Sequence, residues 1–256
     1  VREPFDPRLE LAEAAAFASF AEHAGLPLLR VAGATCYATP PVPGVVMFNR
    51  VVGLGLGVEP VDDAVLDAID AFFGEAGTRY GVSLASGQPD LRDRLVARGF
   101  AEGYAWMKFR RGVSAPTPAD TSLRVEETRD GAEFGRVAAA AFGLPAFEAI
   151  FAPLAAADGW HLFLARDGTQ AVACGALYAN DGAGWLGIGG TRPEHRGRGA
   201  QGAILAARVE RARQLALEIL TTETGERLPD RPSASYRNIL RAGFDEAYLR
   251  PNLETP

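Results

Sequence analysis

Residues 185–202 read Trp185-Leu186-Gly187-Ile188-Gly189-Gly190-Thr191-Arg192-Pro193-Glu194-His195-Arg196-Gly197-Arg198-Gly199-Ala200-Gln201-Gly202. An apolar, strand-like run passes into a loop in which arginine alternates with glycine, and the loop opens a segment of helical periodicity. In that segment Leu205, Val209, Ala212 and Ala216 recur at i, i+4, i+7 and i+11, while Arg208, Glu210, Arg211 and Arg213 fall on the other side. The predicted local order is strand, Gly/Arg loop, helix.

That order is the chemistry of an anion cradle. Gly197, Gly199 and Gly202 let the backbone turn tightly and come close to a ligand without a Cβ in the way. The first N–H groups of a helix have no partners within it and sit at its positive end. Arg196 and Arg198 add forked donors suited to phosphate. Together they predict a pyrophosphate site at Arg196–Gly202.

Outward from the loop, helical signal covers 131–142 and 146–157, and strands are expected at 160–166, 171–178, 184–191 and 218–224. A short helix at 235–241 ends in Ala242-Gly243-Phe244, with a final strand near Tyr248. The first half follows the same grammar. It has a helix carrying Leu9, Ala12, Ala16 and Phe20 that Gly25 stops, strands at 28–37 and 45–54, and a helix carrying Val61, Val65, Leu66, Ile69 and Phe72/Phe73. A strand at 80–85, a helix at 89–97, Arg98-Gly99-Phe100 and a strand near 104–110 complete it. Leu95-Val96-Ala97-Arg98-Gly99-Phe100 parallels Leu240-Arg241-Ala242-Gly243-Phe244: each helix ends on a glycine able to turn left-handed, and each next strand starts with a buried Phe. Residues 109–121 are polar and proline-bearing, as linkers are. The predicted organisation is two related α/β (mixed α+β) domains at 1–112 and 121–256, joined by a linker at 113–120.

Composition narrows the function. The 256 residues are 48% hydrophobic and 23% charged, and 26 basic against 32 acidic residues give a net charge of −6. That balance provides no general field for nucleic acid or anionic membrane, and no aromatics interleave with the basic stretch 192–213. No apolar run has the length of a membrane span. Cys36 and Cys174 sit in apolar strand-like contexts and read as small core residues, and His23, His161 and His195 form no metal motif, so no metal is expected. The opening Val1-Arg2-Glu3-Pro4 does not read as a secretory signal, and the cytoplasm is the expected compartment. A monomer or a homodimer is expected.

The Arg-Gly-Arg-Gly loop after a strand and a proline resembles the acetyl-CoA-binding signature of the Gcn5-related N-acetyltransferases (GNAT), written Arg/Gln-x-x-Gly-x-Gly/Ala. Arg196 stands at its first place and Gly199 at its fourth. The sixth holds Gln201 in place of Gly or Ala, with Gly202 one step later. The resemblance spans 121–256 in element order, and the first half resembles a degenerate copy. It implies two GNAT-like domains, each a mostly antiparallel sheet flanked by helices, and acetyl-CoA as cosubstrate. Arg196, Gly197, Arg198, Gly199, Ala200, Gln201 and Gly202 would hold the pyrophosphate. The backbone of Ile188, Gly189, Gly190 and Thr191 would pair with the pantetheine, and the strand at 218–224 would splay away to open the transfer site.

The resemblance further implies direct acetyl transfer to an amine acceptor, a small molecule or a peptide, with no covalent enzyme intermediate. The family's usual acid, a Tyr four residues before the Gly of Gly-Phe, is Ile239 here. Tyr236, one turn earlier on the same face, is the expected general acid. Glu223 is the expected base, ahead of Glu226 and His161. In the first half, Gly53, Gly55 and Gly57 are followed by Glu59, Asp62 and Asp63 with no arginine, so no donor site is expected there. The alternative reading is a non-catalytic acyl-CoA-binding or regulatory module, which Ile239 favours.

Overall fold

A computed structural model of the chain describes residues 5–85, 88–229 and 233–256; the opening Val1–Pro4 lies outside them. Val1–Met107 and Ala247–Pro256 form one compact unit, and Lys108–Glu246 form the other. This departs from the boundary read at 113–120. The physical cause is the last strand, β13 (Asn252–Glu254), which inserts between β4 (Gly81–Ser83) and β5 (Ala101–Glu102), with Leu253 opposite both Val82 and Glu102. Residues 113–120 belong to the second unit. The Arg111 guanidinium donates to the carbonyls of Ser114, at 2.9 Å, and Ala115, at 3.4 Å, which ties the proline-bearing segment down.

In the first unit a six-stranded sheet runs β1-β2-β3-β4-β13-β5, where β1 is Leu28–Val31, β2 Ala34–Tyr37 and β3 Arg50–Val52. The single strand expected at 28–37 is a hairpin. Ala32 (φ +46°) and Gly33 (φ +77°) both take the left-handed backbone that a two-residue turn between twisted strands requires. The strand expected at 45–54 is broken by a 3-10 turn at Val46–Phe48, and only β3 is extended. Helix α1 (Arg8–Ala24) buries Leu9, Ala12, Ala16 and Phe20 as its periodicity dictates, and it also buries Glu10 and Glu13 completely. Arg250 answers both carboxylates: Nη1 lies 3.0 Å from Glu10 Oε2, and Nη2 lies 3.1 Å from Glu13 Oε1. Arg50 adds a second contact to Glu13 at 3.3 Å. Burying charge of this kind is costly, and pairing offsets the cost. Helices α2 (Asp63–Ala76) and α3 (Pro89–Ala97) complete the unit.

The second sheet has seven strands in the order β12-β6-β11-β10-β9-β8-β7. These are β6 (Trp106–Arg111), β7 (Arg124–Thr128), β8 (Trp160–Asp167), β9 (Gln170–Asn180), β10 (Ala183–Thr191), β11 (Ile219–Gly225) and β12 (Asp245–Arg250). Their long antiparallel ladders, β7 to β8 to β9 to β10, make a rigid platform. The flanking helices are α4 (Gly131–Phe142), the short α5 (Phe147–Phe151), α6 (Ala200–Gln214) and α7 (Ala234–Arg241). The helix expected at 146–157 stops as an α-helix at Phe151 and continues as a 3-10 turn to Ala156. Both Gly-Phe breakers behave as read: Gly99 and Gly243 have φ of +92° and +81°, and Phe100 and Phe244 are buried.

Candidate active site

Strand β10 positions the site by parting from β11. Their parallel pairing covers Ala183↔Ile219, Gly184↔Leu220 and Trp185↔Thr221. Thr222 Oγ1 then donates to the Leu186 carbonyl at 2.7 Å, a side-chain contact in place of the next ladder bond. On its other side β10 carries a bulge: Gly187 stands opposite Ala176 and Gly190 opposite Cys174, so Ile188 and Gly189 together face one residue. Ile188 adopts φ +50°, which is costly for a β-branched residue and a mark of functional sites. Gly190 has a packing reason to be glycine, since a Cβ there would lie 2.6 Å from Ala141 Cβ.

Against the bulged end of β10 lies a cavity of about 770 Å³, within the size range of small-molecule sites. The N-terminus of α6 opens onto it. Gly199 is the N-cap, with φ +79° and no side-chain cap, and no acidic residue occupies the first turn. The helix's first N–H groups therefore keep their donor capacity and their partial positive charge for a ligand. Arg196 lines the same cavity and is lightly held, with contacts of 3.4 Å to the carbonyls of Thr191 and Ala141.

Of the residues read as a donor site, Gly189, Gly190, Thr191, Arg196, Gly197, Gly199, Ala200 and Gln201 line this cavity together, whereas Ile188, Arg198 and Gly202 do not. Arg198 turns outward, with Nη1 2.6 Å from Asp167 Oδ2 and 3.1 Å from His195 Nδ1. This contact holds the Asp167 carboxyl below its ordinary range. Gly202 lies inside α6, and a Cβ there would make only an ordinary 3.5 Å contact with Ala119. The Gln201 amide is engaged with α7 rather than free for a ligand. It donates to Ser235 Oγ at 2.8 Å and accepts from Asn238 Nδ2 at 2.9 Å, binding the start of α6 to α7.

The acid and base readings do not join this constellation. Tyr236 is buried against Phe109 edge-to-face, and its hydroxyl donates to Glu246 Oε1 at 2.5 Å. Burial and the Glu246 carboxylate push its pKa above the usual phenol range. It is not a lining residue; Ser235 and Asn238 present α7 to the cavity instead. Tyr236→Phe is accordingly expected to cost about 1 kcal/mol of stability for one hydrogen bond, and to leave turnover far above the roughly 10²–10⁴-fold loss that removing a general acid brings. Paired denaturation and rate measurements check it. The Glu223 side chain is largely covered, with its Oε2 3.1 Å from Lys108 Nζ and its Oε1 3.1 Å from Trp185 Nε1. His161 is engaged with Glu127 at 2.8 Å and with Arg211 at 3.3 Å.

Two further residues line the cavity without a ligand role in the sequence reading. Arg208, assigned to the outer side of α6, is 3% exposed. It follows Ile204 by one turn, and Ile204 is itself buried, so the i+4 step was the signal that places it inward. Cys174 is a core residue as expected, yet it also borders the cavity. Burial pushes its thiol up to about 12, so it is no nucleophile at neutral pH.

The corresponding place in the first unit is built differently. A Cβ on Gly33 would lie 2.7 Å from Gly57 N, and Gln88 Nε2 donates to the Leu54 carbonyl at 2.8 Å, so the glycine run there packs against its own chain. The N-terminus of α2 is capped by Asp62, which accepts from Val65 N at 3.0 Å, and it carries Asp63 as well.

No protein-family model and no curated protein matches the sequence. Solved structures do match the fold. A GCN5-related N-acetyltransferase from Kribbella flavida superposes with a TM-score of 0.66 at 15% identity, covering 97% of this chain and 95% of its own. One from Sphaerobacter thermophilus gives 0.61 at 13% identity, with 99% and 94% covered. A tandem GNAT protein from the clavulanic acid biosynthesis pathway gives 0.60 at 13% identity, with 97% and 93% covered. Over nearly its whole length, the chain therefore has the fold of the GCN5-related N-acetyltransferases in their tandem form.

Proposed function

We propose that the second unit binds an acyl-CoA, with acetyl-CoA the simplest donor, and transfers the acyl group to the amine of a small molecule or peptide. One observation carries this reading: the uncapped N-terminus of α6 and the lightly held Arg196 share one cavity with the bulged end of β10. The cradle suits a pyrophosphate, and the bulged edge of β10 suits an extended pantetheine. In the transfer an N–C bond forms to the acyl carbon, the C–S bond breaks, and the departing sulfur keeps the electron pair and takes up a proton. Positioning of donor and amine is the main catalytic contribution expected of the protein. The raised Cys174 thiol agrees with direct transfer without a covalent enzyme intermediate. The capped, acidic start of α2 supports reading the first unit as the one without a donor.

Acetyl-CoA at about 100 times its dissociation constant is expected to stabilise the protein by roughly 2.7 kcal/mol. A melting temperature that moves with neither millimolar acetyl-CoA nor any other acyl-CoA would sink the reading. Arg196→Ala is expected to weaken donor binding by about 1.5–3 kcal/mol, the range for hydrogen bonds to charged groups. Calorimetry should also give one donor per chain; two equivalent sites would refute the assignment to the second unit alone.

A second reading, a binding module without turnover, has its own observation. The Tyr236 hydroxyl is spent on Glu246, and Ile239 occupies the neighbouring buried turn. Release of free CoA in the presence of an amine panel separates the two.

A further inference from the structure

Arg208 is a buried cation with no counter-ion among the described residues. Its Nη1 donates to the carbonyls of Ala176 and Gly187, at 3.0 and 3.1 Å, and its Nε makes a 3.4 Å contact with the Ile204 carbonyl. Among the described residues no carboxylate pairs with it, and Nη2 makes no hydrogen bond. The guanidinium lines the cavity, and Nη2 lies 3.8 Å from where a Cβ on Gly189 would stand. Room for it is made by Gly175, where a Cβ would lie 3.1 Å from Arg208 Cζ.

Three neutral carbonyls hold the side chain in place without balancing its charge. A desolvated cation in a low-dielectric wall is unfavourable until an anion joins it. Desolvation lowers the Arg208 pKa to about 10, which still leaves it charged at neutral pH. The Cys174 thiol beside it stays neutral, so it offers no compensation.

Position identifies which anion is expected. Arg208 comes from α6, the helix whose N-terminus forms the proposed pyrophosphate cradle, and it lies two turns further along the same helix. It touches β10 at the bulge, next to the point where β10 and β11 part. On the acyl-CoA reading, which this inference rests on, the donor runs from the helix start along the edge of β10 and brings its acyl end to the bulge. We infer that Arg208 recognises a carboxylate at the end of the donor's acyl chain, so that the natural donor is a dicarboxylic acyl-CoA of the malonyl or succinyl class. The guanidinium fork matches a carboxylate in shape as well as charge.

Calorimetric titration of the full chain at neutral pH with CoA, acetyl-CoA, malonyl-CoA and succinyl-CoA tests the inference. Malonyl- or succinyl-CoA is expected to bind at least about tenfold more tightly than acetyl-CoA, as a charge-assisted pair in a dry site provides. Arg208→Met should remove that preference while CoA itself still binds. Should this variant not fold, the ranking of the four ligands on the wild-type protein decides alone. Binding of all four within about threefold of one another overturns the inference and leaves the acyl-CoA reading intact, since a buried guanidinium pairing is worth more than that. Failure of all four to bind overturns both.

Discussion

Gly199→Val is expected to lower the stability of the protein by about 2–5 kcal/mol and to abolish donor binding in whatever fraction remains folded. Left-handed backbone costs an L-residue roughly 1–2 kcal/mol, and overpacking a filled site adds about 1–3. Gly199 meets both conditions. Its φ is +79°, and a Cβ there would lie 2.8 Å from the Asp120 carbonyl oxygen and 2.9 Å from Thr121 Cβ. Neither neighbour yields easily, because Thr121 Oγ1 already donates to the Arg198 carbonyl at 2.7 Å. The glycine thus serves two ends. It sets the first turn of α6 so that its N–H groups face the cavity, and it lets the chain at 120–121 close behind the loop. Gly197→Ala is the useful contrast. It shares a φ of +79° but meets nothing within 4 Å, so it should cost about 1–2 kcal/mol for strain alone. Chemical denaturation of the two variants, read beside acetyl-CoA titrations, separates backbone strain from the packing of 120–121. Equal stability of Gly199→Val and Gly197→Ala would show that the contact with Asp120 carries no weight.

What was legible in the sequence was whatever local rules control. The glycine turn at 197–199, the stripe Leu205-Val209-Ala212 and the two Gly-Phe breakers each depend on a few neighbouring residues and take the form read from them, whereas Arg198 turns away from the cavity and Ala216, expected on the same stripe, lies exposed beyond the end of α6 at Gln214. What was not legible depends on partners far along the chain. Nothing local in Glu10 or Glu13 distinguishes them from surface carboxylates on an amphipathic helix; their burial follows from Arg250, some 240 residues later. The return of β13 to the first sheet is of the same kind, since an edge between β4 and β5 exists only once the fold does. Arg208 misled for a related reason. Long charged side chains usually reach out to water from a helix, but the empty faces of Gly175 and Gly189 offer this one a place inside. The same limit applies to catalysis. Tyr236 and Glu223 have suitable chemistry at suitable spacing, but their side chains are already bonded to Glu246, Lys108 and Trp185.

Glu223→Gln is expected to cost about 3–5 kcal/mol, the usual penalty for removing one member of a buried ion pair. Lys108 is fully buried and the Glu223 side chain is 6% exposed, so solvent replaces little of what is lost. The glutamine keeps an oxygen for Trp185 Nε1 but no longer offers a charge to the ammonium 3.1 Å away. Reduced activity in this variant alone would therefore say nothing about a base. The double variant Lys108→Met/Glu223→Gln resolves the matter, because it removes both charges and should recover most of the stability. If Glu223 takes the proton from the acceptor ammonium, turnover stays depressed by roughly 10²–10⁴-fold in the double variant even as stability returns. If the pair instead holds Trp185 and the start of the splay in place, turnover and stability recover together. The geometry favours the second outcome. Glu223 bonds to the ring of Trp185, the last β10 residue in register with β11, and a carboxylate shared between an ammonium and an indole N–H is better placed to fix that junction than to exchange protons with a ligand.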